Sequence, residues 1–241
     1  RVRVGHARRP VRELAEVSLT ISEERDALAA RLRREAPHAV DLAEACAGEA
    51  AVTRMAPYYG LVSLEPAELT WGWDLMSPEG GLAWTAAIEV QQPLVAVYTI
   101  PCTPWSRLTF VNYYGRPEEL EEKREAARPL IRRLVKSAVT QANGGRFYLF
   151  ETPVGSELYD DPTFDPIHRI PGNRIDTGYM CCYNKRSPEG GLEQKGEKYM
   201  SNSPILLAAV SQKCPNFTRP GTHVHDVMFV CLLPPEPLLK L

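Results

Sequence analysis

Short apolar runs alternate with longer segments of mixed polarity from residue 39 onward. Four of these runs have the length and composition of buried strands, and they cover residues 39–43, 61–64, 94–99 and 146–150. Helical segments are predicted between them, from Gly48 to about Tyr58 and over residues 79–91 and 117–142. In the last of these the apolar residues recur at spacings of three and four, as on one face of a helix. The alternation predicts an α/β fold, a doubly wound, Rossmann-like parallel sheet.

The two ends of the chain differ from this central pattern. Residues 1–12 carry five arginines and no acid, and a charged helix is predicted over residues 22–34. The last third is an irregular C-terminal extension, with predicted strands at 176–183 and 226–233, a helix at 205–210 and a polar loop at 185–198. We therefore divide the chain into a basic arm and helix (1–36), one α/β domain (37–233) and a proline-rich tail (234–241).

Composition narrows the class of protein. Of the 241 residues, 44% are hydrophobic and 24% charged, which excludes wholesale disorder, and a net charge of −2 excludes a generally basic coat. The apolar run 227–233 is too short to span a membrane. Six cysteines are too few for a disulfide framework. We expect a reduced, intracellular protein, nuclear in preference to cytoplasmic, and because the chain starts at Arg1 we expect a fragment or processed product without a signal peptide.

Candidate chemistry falls at the ends of two predicted strands, where doubly wound sheets bind ligands. Cys102 follows the strand at 94–99 between Pro101 and Pro104, and Glu151 ends the strand at 146–150. Neighbouring strands lie about 4.8 Å apart, so both side chains are expected to face one pocket. A thiol nucleophile beside a carboxylic acid that can bind a ring nitrogen suits attack on a pyrimidine. An inert cysteine in a rigid turn is the alternative.

These two motifs resemble those of the cytosine-C5 DNA methyltransferases. Residues 101–106, Pro-Cys-Thr-Pro-Trp-Ser, are similar to the motif that carries the family's nucleophile, and residues 150–153, Phe-Glu-Thr-Pro, to the Glu-Asn-Val motif that carries its acid. The resemblance spans about residues 39–153 and implies catalytic roles for Cys102 and Glu151. Short, scattered sequence motifs after residue 178 are also similar to the methylase-like domain of some retroelement polyproteins.

The resemblance implies S-adenosylmethionine as the methyl donor. Residues 40–48 are similar to the family's cofactor loop and contribute Asp41, Cys46 and Gly48. Glu65 occupies the position of the acid that holds the ribose hydroxyls, and Asp74 that of the aspartate that meets the adenine amine.

A nucleic-acid substrate, DNA in preference to RNA, is implied as well, with the target base flipped between Cys102 and Glu151. Ser106 belongs to the nucleophile motif, and Arg174 is the nearest match to the family's Gln-x-Arg-x-Arg. Arg128 and Arg132 lie on a basic helix face that we expect to contact phosphates, together with the arm at 1–12.

Several departures leave a second hypothesis open. The glycine-rich loop is reduced to Gly48, Thr103 and Thr152 replace the usual Gln and Asn, and no target-recognition domain is visible. The active enzyme is preferred; the alternative is an inactive methyltransferase-fold module that binds nucleic acid or serves as a structural subunit of a larger assembly. An amino-methyltransferase is disfavoured because neither an acid nor an amide precedes Pro101.

The thiols and imidazoles near the C-terminal end form another group. Cys214, His223 and His225 could hold zinc, with Cys181 and Cys182 as further candidates. Because no paired C-x-x-C spacing exists, a polar turn with ordinary core thiols is the favoured interpretation. If Cys102 is the nucleophile, it should be accessible with a lowered pKa, while Cys181, Cys182 and Cys231 should be buried and inert.

Overall fold

The computed structural model describes residues 40–188, 190–217 and 225. Its strands are β1 (Leu42–Ala45), β2 (Val95–Thr99), β3 (Phe147–Pro153), β4 (Arg174–Tyr179) and β5 (Gly196–Ser201). Its α-helices are α1 (Ala51–Met55), α2 (Pro78–Gln91), α3 (Arg107–Asn112), α4 (Pro117–Asn143), α5 (Asp165–His168) and α6 (Pro204–Val210). None of these helices has both the length and the hydropathy of a membrane span. The predicted arm, the helix at 22–34, the strand at 226–233, the tail, His223 and Cys231 lie outside the described residues.

The five strands form one mixed sheet in the order β1-β2-β3-β5-β4. The first three are parallel, whereas β5 pairs antiparallel with both β3 and β4. The predicted α/β fold is confirmed, but a wholly parallel sheet is wrong. Strand β5 begins inside the segment 185–198, which was predicted to be a polar loop. The strand was not predicted because its sequence begins with polar residues, although Glu197 is only 2% exposed.

A topological switch point lies at β1. On one side β1 pairs with β2, from Leu42 opposite Val95 to Ala45 opposite Tyr98, as predicted. On its other side lies the segment 61–67, which touches β1 through two isolated parallel bridges, at Ser63 and at Ala67. The predicted strand at 61–64 is thus a pair of bridges and not a continuous strand. Ligands of doubly wound sheets bind beyond the carboxyl ends of strands at such a point.

The larger hydrophobic core lies on the face of the sheet covered by α2 and α4. Trp84 of α2 packs edge-on against Tyr98 of β2, with ring centroids 6.3 Å apart, and Tyr98 stacks on Phe150 of β3. The Trp84 Nε1–H donates to Ser137 Oγ of α4 at 3.1 Å, so the buried indole keeps a hydrogen-bond partner. On the opposite face α6 covers a smaller cluster that includes Leu149, Tyr199 and Leu207.

Helix α4 forms where the apolar spacing predicted it. Pro117 stands in its first turn, where a missing N–H costs nothing, and Glu118 and Glu119 favour the positive end of the helix dipole. Its buried side, including Ile131 and Leu134, packs on the sheet. The helix thereby fixes β2 and β3 side by side and places their carboxyl ends at one edge.

Candidate active site

Cys102 stands in a rigid turn just beyond the end of β2. It precedes a one-turn 3-10 helix, Thr103–Trp105, and its carbonyl accepts a hydrogen bond from the Trp105 backbone N–H at 2.9 Å. Trp105 is 2% exposed, and its indole N–H donates to Asp161 Oδ2 at 3.1 Å. The turn is anchored in the core, so the thiol stays at the strand edge.

The environment of Cys102 disfavours the thiolate. The side chain is half-buried, and burial raises its pKa above the ordinary value; the nearby hydroxyls of Thr152 and Ser156 offset part of this rise, and the charge of Glu151 adds to it. Thr152 Oγ1 is buried and has no hydrogen-bond partner among the described residues. The predicted lowering of the Cys102 pKa is therefore wrong, because burial outweighs the two hydroxyls.

Glu151 is a half-buried carboxyl group whose pKa lies well above the ordinary value of a glutamate. Burial raises its pKa to about 8, and the hydrogen bond and charge of Glu197 act in the same direction, against Lys195 and Lys185. Glu197 is 2% exposed and pairs with Lys195 at 2.5 Å. A carboxylic acid with a pKa near the working pH can donate a proton or a strong hydrogen bond.

The structure brings Cys102 and Glu151 to the same sheet edge but on different faces. Side chains alternate between the two faces of a strand, so Thr152 lies on the same face as Phe150. Cys102 packs against the hydrophobic cluster that contains Phe150. Glu151 shares the opposite face with Leu149. The Glu151 charge nevertheless acts on the Cys102 thiol. The two groups therefore approach each other around the edge and do not line one wall of a pocket.

The loop between β1 and α1 has the backbone of a close-approach site. Cys46, Gly48 and Ala50 all have positive φ, at 54°, 53° and 53°. A Cβ built on Gly48 would meet nothing within 4 Å, so a ligand has space to approach this backbone. The loop is tied to the neighbouring segment by the Gly48 N–H, which donates to Glu68 Oε2 at 3.0 Å.

Two of the predicted cofactor carboxylates serve the fold. Asp41 is buried, and its Oδ2 accepts the Val62 N–H at 2.8 Å, which holds the segment 61–67 against β1. Asp74 Oδ1 accepts the Met76 N–H at 2.9 Å and so shapes the turn before α2.

The other two predicted cofactor residues differ in exposure. Cys46 is half-buried, and burial raises its pKa to about 12. Glu65 is exposed on the segment beside β1.

Glu68 is the acid that sequence reasoning missed. It directly follows Ala67, the last bridge beside β1, and it is the acid that contacts the glycine loop. Its other oxygen, Oε1, accepts the Leu69 N–H at 2.8 Å. No local pattern marks its position, because the last bridge to β1 lies at Ala67 and not at Leu64, where the sequence placed the strand end. An acid at this place in a dinucleotide-binding fold binds the ribose hydroxyls.

Among the residues predicted to bind nucleic acid, Arg128 already forms ion pairs with carboxylates of this chain. Its guanidinium pairs with Glu121 at 2.5 Å, Glu125 at 2.6 Å and Asp161 at 3.1 Å, and its side chain is 13% exposed. Because three carboxylates surround the Arg128 guanidinium, a phosphate contact would have to replace at least one of these ion pairs. Three other candidates keep accessible surface: Arg132 and Arg174 are exposed, and half-buried Ser106 shares a hydrogen bond with Thr109 at 2.8 Å.

An aromatic groove of about 940 Å³ follows the Cys102 turn along the chain, between α3 and the start of α4. Its walls include Phe110, Tyr113 and Tyr114, and Tyr114 is 90% exposed. The Arg124 guanidinium lies 5.6 Å from the Phe110 ring centroid. The groove offers stacking faces beside a cation, a surface that the sequence analysis did not single out.

The C-terminal thiols and one imidazole form a compact cluster. The ligand atoms of Cys181, Cys214 and His225 all lie within 4.8 Å of one another, and both cysteines are buried. Burial raises the pKa of Cys181 to about 12. Cys182 is half-buried, so its predicted burial is wrong. The structure thus joins Cys214 and His225 with Cys181, one of the two further thiols that the sequence analysis considered for this group.

Comparison with known proteins leaves the family open. No protein-family model matches the sequence, and no curated protein matches it. The fold is similar to the crystal structure of S. pombe Dnmt2 methyltransferase, with a TM-score of 0.39 and 8% identity over 67% of this chain and 48% of that chain. The chain therefore spans about half the length of that structure. A likeness of this size identifies no family, and the function has to be argued from this chain's own residues.

Proposed function

We propose that this domain is an S-adenosylmethionine-dependent cytosine-C5 methyltransferase that acts on nucleic acid. The observation that carries the proposal is that Cys102 and Glu151 meet at one edge of the sheet, where burial and Glu197 raise the pKa of the Glu151 carboxyl to about 8. Both lie at the carboxyl ends of adjacent parallel strands, where α/β sheets bind ligands.

In the proposed reaction each group has one task. The Cys102 sulfur adds to carbon 6 of the flipped cytosine, and its electron pair moves through the ring toward N3. The Glu151 carboxyl donates its hydrogen to N3 and so neutralises the developing charge. S-adenosylmethionine supplies the methyl group that carbon 5 takes. Water then takes the carbon 5 proton, Cys102 leaves carbon 6 as a thiolate, and the N3 hydrogen returns to Glu151, which restores the aromatic ring and the free enzyme.

The raised thiol pKa makes formation of the nucleophile the difficult step. Thr152 and Ser156 assist it, because their hydroxyls lie near the sulfur and lower the pKa of the thiol. A protonated Glu151 carries no charge and does not oppose the thiolate. We therefore infer that the carboxyl must be neutral both for thiolate formation and for its own donation to N3.

The loop residues fit a methyl donor of this kind. Open space above Gly48 permits close approach to the backbone, and Glu68 stands at the strand end beside it. Each Glu68 oxygen accepts one hydrogen bond, and a carboxylate oxygen can accept a second. Gly48 and Glu68 would hold the donor, in preference to Asp41 and Asp74.

Covalent trapping tests the proposal directly. An oligonucleotide containing 5-fluorocytosine blocks elimination, because carbon 5 carries no removable proton, so the wild-type chain should form a stable adduct in the presence of S-adenosylmethionine. Cys102→Ala should abolish the adduct, and the matched control Cys182→Ala, another half-buried thiol, should retain it. An adduct that survives Cys102→Ala, or none with the wild-type chain, would reject the mechanism.

A binding module without turnover is the second candidate, and one observation favours it. The carboxylates of Asp41 and Asp74 accept hydrogen bonds from backbone N–H groups, and Glu68 accepts one from the Gly48 N–H. These contacts occupy groups that would otherwise bind the donor. Calorimetry with S-adenosylmethionine separates the two candidates: no measurable binding, together with retained affinity for nucleic acid, supports the module.

A further inference from the structure

We propose that Cys181, Cys214 and His225 form a zinc-binding site. The three side chains come from separate parts of the chain and meet in space. Cys181 lies in the one-turn 3-10 helix Met180–Tyr183 after β4, Cys214 lies between α6 and the turn Pro215–Phe217, and His225 pairs with Leu192 in a parallel bridge. Thiolate sulfur and imidazole nitrogen are the preferred ligands of zinc.

The separation between two of the ligand atoms matches zinc coordination. Zn–S and Zn–N bonds of about 2.3 and 2.05 Å at a tetrahedral angle place the two ligand atoms about 3.6 Å apart. Cys214 Sγ and His225 Nε2 lie 3.5 Å apart. Two sulfur ligands would lie about 3.8 Å apart, and all three atoms here lie within 4.8 Å of one another. A closure of at most about 1 Å would complete the three-ligand set.

A neighbour of His225 suits this role. Histidines that bind a metal through one nitrogen bind a polar group through the other, which fixes the ring. The Asn216 amide lies 3.1 Å from Nδ1 of His225, while Nε2 faces Cys214. One orientation of that amide presents its oxygen as the acceptor of an Nδ1–H. Asn216 is therefore a positioning residue for the proposed site.

The site would join segments that backbone pairing connects only loosely. His225 is joined to Leu192 by one bridge. Cys181 directly follows Met180, whose backbone N–H donates to Lys195 O at 2.8 Å. Lys195 in turn pairs with Glu197, the neighbour of Glu151. Zinc would thus fix the end of the sheet next to the candidate active site, although the zinc proposal does not depend on methyl transfer.

Metal content of the full chain is the primary test. Protein purified without chelator should contain about one zinc per chain by elemental analysis. Exchange for Co²⁺ should give the visible absorption bands of tetrahedral cobalt and a thiolate-to-cobalt charge-transfer band. A wild-type chain that takes up neither ion would overturn the proposal. A mass two hydrogens lower without reductant, mapped to a Cys181–Cys214 disulfide, would also overturn it.

Variants assign the ligands. Cys181→Ala, Cys214→Ala and His225→Ala should each lose most of the zinc, whereas the matched control Cys46→Ala, with a half-buried thiol in another loop, should keep it. Because an alanine variant can fail to fold, Cys214→His provides a second measurement: it replaces one zinc ligand by another and should retain Co²⁺ binding with a weaker charge-transfer band. Zinc lost from Cys182→Ala or His223→Ala but kept by Cys181→Ala or His225→Ala would reject this assignment.

Discussion

Asp161 anchors the turn that carries Cys102, and replacing it should destabilise the whole domain. Its Oδ2 accepts hydrogen bonds from Trp105 Nε1 at 3.1 Å and from Arg128 Nη2 at 3.1 Å. Its Oδ1 accepts the Thr163 N–H at 3.0 Å and the Thr163 hydroxyl at 2.7 Å. The Asp161 side chain is 2% exposed and that of Arg128 is 13% exposed, so water compensates little for a lost contact.

Asp161→Asn keeps the size of the side chain but removes its charge and half of its acceptor capacity. Removing one partner of a buried ion pair costs about 3–5 kcal/mol. Arg128 keeps Glu121 and Glu125, whose side chains are 50% and 60% exposed, and this reduces the loss. We therefore expect the free energy of unfolding to fall by about 3 kcal/mol at neutral pH.

Urea unfolding measures this difference, and a double-mutant cycle with Arg128→Met isolates the contribution of the pair. The matched control is Glu119→Gln, which breaks the Arg116–Glu119 pair on the same helix, where both side chains are 53% exposed. That exposed pair should contribute less than about 0.5 kcal/mol. An Asp161→Asn variant within about 1 kcal/mol of wild type would refute the argument from burial.

The pH dependence gives the prediction a second check. Burial alone would raise the pKa of Asp161, but hydrogen bonds from Thr163 and Arg128 hold it below the ordinary value. A depressed pKa contributes stability above the pKa of the unfolded chain, about 3.9, and loses it as the pH falls through the folded-state pKa. The difference between wild type and Asp161→Asn should therefore shrink in acid, and a difference that stays constant would contradict the assigned cause.

Three further predictions concern the candidate active site. Adduct formation should fall as the pH rises through about 8, where Glu151 ionises, and Glu197→Gln should move this fall to lower pH because it removes the neighbouring acid. Thr152→Val should slow iodoacetamide labelling of Cys102 at neutral pH, because one hydroxyl that favours the thiolate is lost; peptide mapping that shows unchanged labelling would contradict this. Tyr114→Ala should weaken binding of single-stranded nucleic acid about 5- to 100-fold in a titration at fixed salt, the loss of one stacking contact.

The parts of the fold that sequence could predict are those with strong local patterns. Helix α4 has apolar residues at helical spacing and acids in its first turn, and both survive in the structure. Strand β2 is an apolar run bounded by prolines, and it forms where it was predicted. These features depend on residues close together in the chain, so a single sequence contains them.

The parts that sequence could not predict depend on pairing between distant segments. Glu68 was missed because the register of the segment beside β1 puts its last bridge at Ala67, and no local pattern marks that register. The occupation of Arg128 depends on Asp161, which belongs to a different element. The three zinc-ligand candidates are likewise far apart in sequence and lack the paired spacing that reveals a metal site.

Strand β5, which the sequence did not predict, determines the surroundings of Glu151 in the candidate active site. Its antiparallel insertion beside β3 places Pro153 opposite Glu197 and Glu151 opposite Tyr199, so Glu197 lies diagonally next to Glu151 on one face. Burial, together with that neighbour, raises the pKa of the Glu151 carboxyl to about 8. The sequence could identify Glu151 as an acid, but its protonation state follows from a strand that the polar sequence concealed. A carboxylate in the same position without β5 would be more exposed and charged, and it would oppose the Cys102 thiolate instead of assisting the attack.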